Sequence, residues 1–199
     1  MNLLQACAII EKARKDSILV ATMGAMFAFD GLKAAQPRIS SVPLMGGAAS
    51  LGLGLAIAEP RRKVVVVDGD ASLLMQLGGL ATVADRQPAN FVHFVVRNGA
   101  QFTGVANLAT PAESCVDYAG LAAAAGYRRT YRFDNEAAFA EHIDETLAAA
   151  GPTFVELRVV TPPPIPGAPL KMEIPELQFH RMGAEARALS TWLKEHPHG

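Results

Sequence analysis

Short, continuous apolar runs rich in valine and phenylalanine recur along this chain. Between them lie longer segments in which apolar residues return every three or four positions. The runs at 17–22, 64–68, 91–96 and 153–159 read as strands, and their unbroken apolarity fits strands buried on both faces. Residues 38–42 and 128–133 read as shorter strands. Helical spacing predicts helices over 3–15, 25–32, 46–58, 72–86, 115–125 and 136–150, with 99–113 as a loop. Strands separated by helices of this length need crossover connections and therefore a parallel sheet. The expected class is α/β, a three-layer arrangement of a mainly parallel sheet with helices on both faces.

After Val160 the pattern changes. Thr161-Pro162-Pro163-Pro164-Ile165-Pro166 must run extended, because proline removes an amide donor and disfavours helix in the residue before it. A final amphipathic helix over 183–195 carries Trp192. The chain thus divides into a domain at 1–160 and a tail at 161–199, which packs on that domain or on a partner. The closing His196-Pro197-His198-Gly199 reads as a frayed terminus.

Composition narrows the function classes. The 199 residues suffice for one sizeable α/β domain, and half of them are hydrophobic. With 18 Lys+Arg against 19 Asp+Glu and no clustered arginines, the charge argues against nucleic-acid binding. No apolar run approaches the roughly 20 residues a membrane helix needs. The N-terminal apolar segment leads into a charged stretch at 11–16, which fits an amphipathic first helix better than a signal peptide. Cys7 and Cys115 are isolated and lack CxxC spacing, which fits a cytoplasmic location and gives no zinc or iron–sulfur signature.

The candidate chemistry sits between Val64 and Asn98. Asp70 and Asn98 fall just past the ends of two apolar strands, and in an open parallel sheet ligands bind along that edge. A carboxylate and a carboxamide suit a hard cation such as magnesium, often shared with phosphates. The turn from Gly69 through Ala71 to Ser72 opens a helix, whose free N–H groups favour an anionic diphosphate.

These residues resemble the diphosphate-binding (PP) domain of thiamine diphosphate enzymes. That family carries a Gly-Asp-Gly motif followed some 25 to 30 residues later by an asparagine; here Gly69-Asp70-Ala71-Ser72 precedes Asn98, which stands 28 positions after Asp70. Within the family, Leu73-Leu74-Met75, Leu77-Gly78-Gly79-Leu80-Ala81-Thr82 and Asn98…Thr103-Gly104 are most similar to the sulfopyruvate decarboxylase β-subunit and the C-terminal domain of phosphonopyruvate decarboxylase. The resemblance implies the PP-type thiamine diphosphate-binding fold. It also implies that Asp70, Asn98 and the backbone carbonyl of Ala100 hold Mg2+, with Gly69, Ala71 and Ser72 along the diphosphate.

By the same resemblance, Pro43-Leu44-Met45-Gly46-Gly47 matches the segment that holds the aminopyrimidine. Pro43 would offer its carbonyl to the 4′-amino group, Met45 would wedge under the thiazolium, and Gly46 would allow close backbone approach. Gln101 and Phe102 would border the thiazolium. Two positions depart from the pattern. Ala71 replaces the second glycine, which costs about 1 kcal/mol if a positive φ is needed there and nothing if the position is helical. Arg97 stands where many members have an asparagine.

A complete thiamine diphosphate site also needs a glutamate from a pyrimidine-binding domain, and ~160 residues here are consumed by the first domain. The resemblance therefore implies a partner, an α-type chain in a heterotetramer, that supplies the catalytic glutamate. The implied reaction is non-oxidative decarboxylation of a small anionic 2-oxo acid, such as sulfopyruvate or phosphonopyruvate, to an aldehyde and CO2. A carboligase subunit similar to acetolactate synthase, and a non-catalytic subunit that keeps the cradle, are the alternatives.

Other features have plainer readings. Asp68 alternates away from Gly69 and serves the turn. His93 reads as a hydrogen-bonded histidine of the core or of a subunit interface. Arg97 reads as an exposed strand-end arginine paired with a surface carboxylate, although it could attract an acidic substrate. Gly52-Leu53-Gly54 lies inside a helix with Ile57 at the third glycine's place, so it reflects tight packing rather than a dinucleotide fingerprint. Ser50 only faintly resembles a hydrolase nucleophile elbow.

Overall fold

The computed structural model describes residues 1–165 and 175–197. The expectations for Pro166 and for His198 and Gly199 lie outside those residues. The elements alternate as expected: α1 (Leu3–Arg14), β1 (Ile18–Thr22), α2 (Met23–Gly31), β2 (Arg38–Val42), α3 (Gly47–Ala58) and β3 (Val64–Gly69). Two short helices follow, α4 (Asp70–Met75) and α5 (Gly79–Arg86), then β4 (Phe91–Arg97) and a small ladder of β5 (Ala100–Gln101) with β6 (Leu108–Ala109). The remainder is α6 (Tyr118–Ala125), β7 (Arg129–Phe133), α7 (Glu136–Ala148), β8 (Thr153–Arg158) and α8 (Pro175–Glu195).

Six strands form one sheet in the order β2-β1-β3-β4-β8-β7, and every neighbouring pair is parallel. Alternation along each strand splits the core into two layers. Leu19, Val65, Val67, Val92, Phe94 and Val155 face Cys7 and Ile10 of α1, Phe29 of α2 and Phe139 of α7. Val20, Val64, Val66, Val95 and Phe154 face Leu53 of α3, Leu80 and Val83 of α5, Tyr118 of α6 and Leu189 of α8. From β1 the chain winds outward to β2, then crosses back over β1 to β3 and continues outward the other way. The reversal leaves a crevice at the carboxyl ends of β1 and β3, the usual place for a ligand in such sheets.

Several boundaries differ from the sequence reading. The helix expected over 72–86 is two helices. The first opens at Asp70, ends where Gln76 leaves helical geometry, and is followed by the turn through Gly78. Close packing at the break accompanies it: Gln76, though exposed, approaches Gly46 so nearly that a Cβ built on Gly46 would lie 2.6 Å from Gln76 Cβ. The helix expected from residue 115 begins at Tyr118, since Asp117 caps it by accepting the Gly120 N–H at 2.8 Å. The 99–113 loop contains the β5–β6 ladder. The terminal helix begins at Pro175 rather than 183 and lies against β2. There Glu185 accepts the Ser40 N–H at 2.8 Å and Arg181 grips Asp30 at 2.5 and 2.7 Å. Among the described residues no helix is long and apolar enough to cross a membrane.

Candidate functional site

Because β3 and β4 pair in parallel with Gly69 opposite Val96, the residues after each strand emerge side by side. Asp70 opens α4, 2% exposed. Its Oδ1 accepts the Ala71 N–H and its Oδ2 accepts the Gly99 N–H, both at 2.7 Å. The second bond joins the two strand ends directly. Asn98 turns the chain after β4: its Oδ1 accepts the Ala100 N–H at 3.0 Å and its Nδ2 donates to Thr103 Oγ1 at 2.8 Å. Thr103 in turn donates to the Ala100 carbonyl at 3.3 Å. Gly99 has φ +69, and a Cβ there would fall 2.7 Å from Glu113 Cγ. Only glycine permits this turn to pass so close to the far end of its own loop.

The third segment arrives from β2. Thr22 Oγ1 donates to the Val42 carbonyl at 2.6 Å and so fixes the strand end before Pro43. Gly46, with φ +84, donates its N–H to Ser72 Oγ at 2.7 Å. That bond ties 43–46 to 69–72. Pro43 and Met45 are half-buried, and Leu44 is exposed. Gln101 is half-buried and Phe102, at φ +51, is 59% exposed on the β5–β6 turn. The fold therefore gathers all three segments named from the sequence. Gly69 caps α4 in extended conformation and Ala71 lies in its first turn with helical backbone, so alanine costs nothing there.

Electrostatics single out Asp70. Burial pushes its carboxyl pKa up, while the N–H groups of Gly99, Ala71 and Asn98 and the nearby Arg97 charge oppose the shift. A buried carboxylate with two neutral oxygen donors on the adjoining turn, Asn98 Oδ1 and the Ala100 carbonyl, is a hard-donor set, each oxygen of which now accepts one hydrogen bond from the surrounding turns. Such a set suits magnesium completed by phosphate oxygens. With Ala71 in helical backbone and the donors all oxygen, the chemistry of the residues present fits the group.

Three readings need adjustment or detail. Arg97 is buried rather than exposed, at 7%, although it keeps the expected surface carboxylate, Glu113, at 4.0 Å. Its Nη1 pairs with buried Glu156 at 2.9 Å and donates to the Val116 carbonyl at 3.0 Å, and its Nη2 donates to the Glu113 carbonyl. The guanidinium also stacks over Tyr118, 5.4 Å from the ring centroid. It closes the far end of the loop that Asn98 begins. Its signal in the sequence was Glu156, a lone carboxylate inside an apolar strand. His93 is fully buried with Nδ1 3.3 Å from the Tyr127 hydroxyl, and its Nε2 lies 3.6 Å from Asp68 Oδ2. Asp68 Oδ1 accepts the Gly69 N–H at 2.8 Å, which serves the turn as expected.

Fold and site together define a doubly wound α/β domain that collects oxygen donors at the carboxyl edge of its central strands. The chain belongs to the family of C-terminal TPP-binding domains of thiamine pyrophosphate enzymes, whose model matches residues 22–157. It is 39% identical over 151 residues to a phosphonopyruvate decarboxylase of Streptomyces hygroscopicus, covering 75% of this chain and 35% of that protein. Over 119 residues it is 44% identical to a phosphonopyruvate decarboxylase of Streptomyces viridochromogenes, covering 59% and 29%. Against the sulfopyruvate decarboxylase subunit beta of Methanothermobacter thermautotrophicus the identity is 38% over 115 residues, 58% of each chain. The chain thus spans about a third of the first two relatives and somewhat over half of the third. Among solved structures, a thiamin diphosphate-dependent enzyme of Mycobacterium smegmatis superposes with TM-score 0.67 at 19% identity, covering 80% of this chain and 32% of that one. A thiamine diphosphate-dependent 4-hydroxybenzoylformate decarboxylase of Rhodococcus jostii RHA1 gives 0.65 at 21%, covering 81% and 33%. At those identities the likeness shows a shared fold.

Proposed function

We propose that this chain is the small, β-type subunit of a thiamine diphosphate-dependent 2-oxo acid decarboxylase that releases CO2 and an aldehyde from a small anionic 2-oxo acid. The observation that carries the reading is the convergence of three segments through two hydrogen bonds, Asp70 Oδ2 with Gly99 N–H and Ser72 Oγ with Gly46 N–H. Asp70, Asn98 and the Ala100 carbonyl would hold Mg2+; Gly69, Ala71 and Ser72 would line the diphosphate; and Pro43, Leu44, Met45 and Gly46 would support the aminopyrimidine. Gln101 and Phe102 would border the thiazolium. When bound, thiamine diphosphate supplies the electron sink that lets a 2-oxo acid lose carbon dioxide. This chain's own residues bind and orient: Asp70 neutralises cation charge, Gly46 lets backbone approach closely, and the 98–103 turn fixes the neutral donors.

Domain 1–160 is the cofactor-binding unit in this reading. Of the tail 161–199, helix α8 completes it by packing along β2. The relatives named phosphonopyruvate and sulfopyruvate decarboxylase support an anionic substrate. Subunit beta in the third name supports an α-type partner carrying the glutamate, in a heterotetramer. The test is to purify the chain with its co-purifying partner and measure thiamine diphosphate by thiochrome fluorescence, with and without Mg2+. Near-stoichiometric, Mg2+-dependent cofactor is expected. Asp70→Ala should lower retention by at least about 100-fold, since even residues behind metal ligands cost 10–100-fold. Retention unchanged by Asp70→Ala would sink the assignment.

A further inference from the structure

Pro162, Pro163 and Pro164 have no N–H. The stretch 161–165 can therefore bond only through its carbonyls, the Thr161 hydroxyl and the amides of Thr161 and Ile165. Three of these groups meet the loop that follows β4. The Thr161 hydroxyl donates to the Asn98 carbonyl. The Pro162 carbonyl accepts from Asn107 Nδ2 at 2.8 Å. The Ile165 N–H donates to the Gly104 carbonyl at 3.0 Å.

The strap starts from a fixed point, because Val159 N–H bonds the Arg97 carbonyl and Val160 N–H bonds the Met1 carbonyl, both at 3.0 Å. On the loop side Asn107 is the hub. Its Oδ1 accepts the Gly104 N–H at 2.7 Å while its Nδ2 reaches the strap. Its φ of +46 lies in the left-handed region that asparagine tolerates. The loop itself is held by a ladder of only two residue pairs, Ala100 with Ala109 and Gln101 with Leu108. Most of its side chains from 102 to 109 are exposed or half-buried.

We propose that residues 161–165 clasp the candidate metal loop, with Thr161 and Asn107 as positioning residues that keep Asn98 and Ala100 in register for the cation. The inference rests on the metal-loop reading above. Thr161 holds the Asn98 backbone from outside, while the Asn98 side chain holds Ala100 and Thr103 from inside. Cation donors must stay within a fraction of an ångström of their working geometry, and a glycine-bearing loop with few apolar contacts opens readily by itself. The prolines make the strap an effective clasp, because a segment already extended loses little conformational freedom on docking.

The test compares Thr161→Val, which keeps the shape and removes the hydroxyl, with Asn107→Asp. The second substitution keeps the acceptor for Gly104 and the tolerance of positive φ, and removes the donor to Pro162. Amide hydrogen exchange of the 98–109 peptide is followed on the full chain without cofactor. Mg2+-dependent thiamine diphosphate affinity is measured on the complex with its partner. Each variant should speed exchange in that peptide and weaken affinity by roughly fivefold, the worth of one net hydrogen bond, with the urea midpoint unchanged; Thr161→Ser should restore both. Exchange like wild type in both variants overturns the clasp. Faster exchange with wild-type affinity overturns the positioning role. A wild-type complex that takes up no thiamine diphosphate overturns the functional reading and the positioning role together, and the exchange data then judge the clasp separately.

Discussion

The glycine pair of α3 shows how one residue type divides by environment. A Cβ on Gly52 would lie 2.3 Å from Val66 Cγ2 and 3.2 Å from the Phe91 ring, whereas one on Gly54 meets nothing within 4 Å. Gly54→Ala should therefore stabilise the chain by about 0.5–1 kcal/mol, through lower entropy of the unfolded state and better helix propensity. Gly52→Ala should cost about 1–3 kcal/mol from overpacking. Urea unfolding of the two single variants checks both signs. The tight packing read from the sequence thus belongs to Gly52 alone. Arg97 provides the polar counterpart. Arg97→Met leaves the buried Glu156 carboxylate with Arg132 at 3.3 Å, Arg158 at 3.5 Å and the Ala119 N–H at 3.3 Å as remaining partners. A loss of about 3 kcal/mol is expected, the low end for breaking a buried pair, and it is read from the same unfolding curves.

Among the elements, α8 departs furthest from its expected outline, and its contacts explain why. The strand β2 is an edge of the sheet, with backbone groups that need cover. Glu185 accepts one of them at Ser40, Arg181 and Asp30 fasten the helix start, and Arg62 stacks on Trp192 at 4.7 Å near its end. Leu189, 2% exposed, enters the same apolar layer as Leu53 and Val66. Leu189→Ala should cost about 2–4 kcal/mol as a cavity mutation, and the urea midpoint should fall in a single transition. A separate early transition, leaving the sheet intact, would show instead that α8 folds on its own account.

For the whole molecule the consequence lies in pH. Burial raises the folded-state pKa of Asp70 above its ordinary 3.8, so the folded chain holds that proton more tightly than the unfolded chain. Stability from this group is complete below the unfolded pKa and is lost as pH rises through the folded one. Without cation, stability should therefore decline over the window that begins near pH 4 and extends upward to the raised value. Asp70→Asn should flatten that slope whatever it does to absolute stability. Urea midpoints against pH for the two proteins measure the difference. Mg2+ with thiamine diphosphate should restore wild-type stability at the upper end, because a ligand that binds only the folded state adds stability by mass action.

Local chemistry in the sequence was enough for the class of fold, since continuous Val and Phe runs between amphipathic segments admit little besides a buried parallel sheet with helical layers. It was also enough to name Asp70 and Asn98, because a carboxylate and a carboxamide at strand ends carry their turn preferences with them; the Pro43–Gly46 stretch came only with the family resemblance. Tertiary structure alone decided the break between α4 and α5, where Gln76 comes close to Gly46, a residue 30 positions earlier. It alone buried Arg97, since the partner that makes burial tolerable, Glu156, arrives from a strand almost 60 residues later. The same holds for the strap, where an extended proline segment has no internal hydrogen bonds and its partners are set only when β8 ends beside β4. Periodicity reports what a segment buries; which distant group it is buried against depends on the order of strands in the sheet.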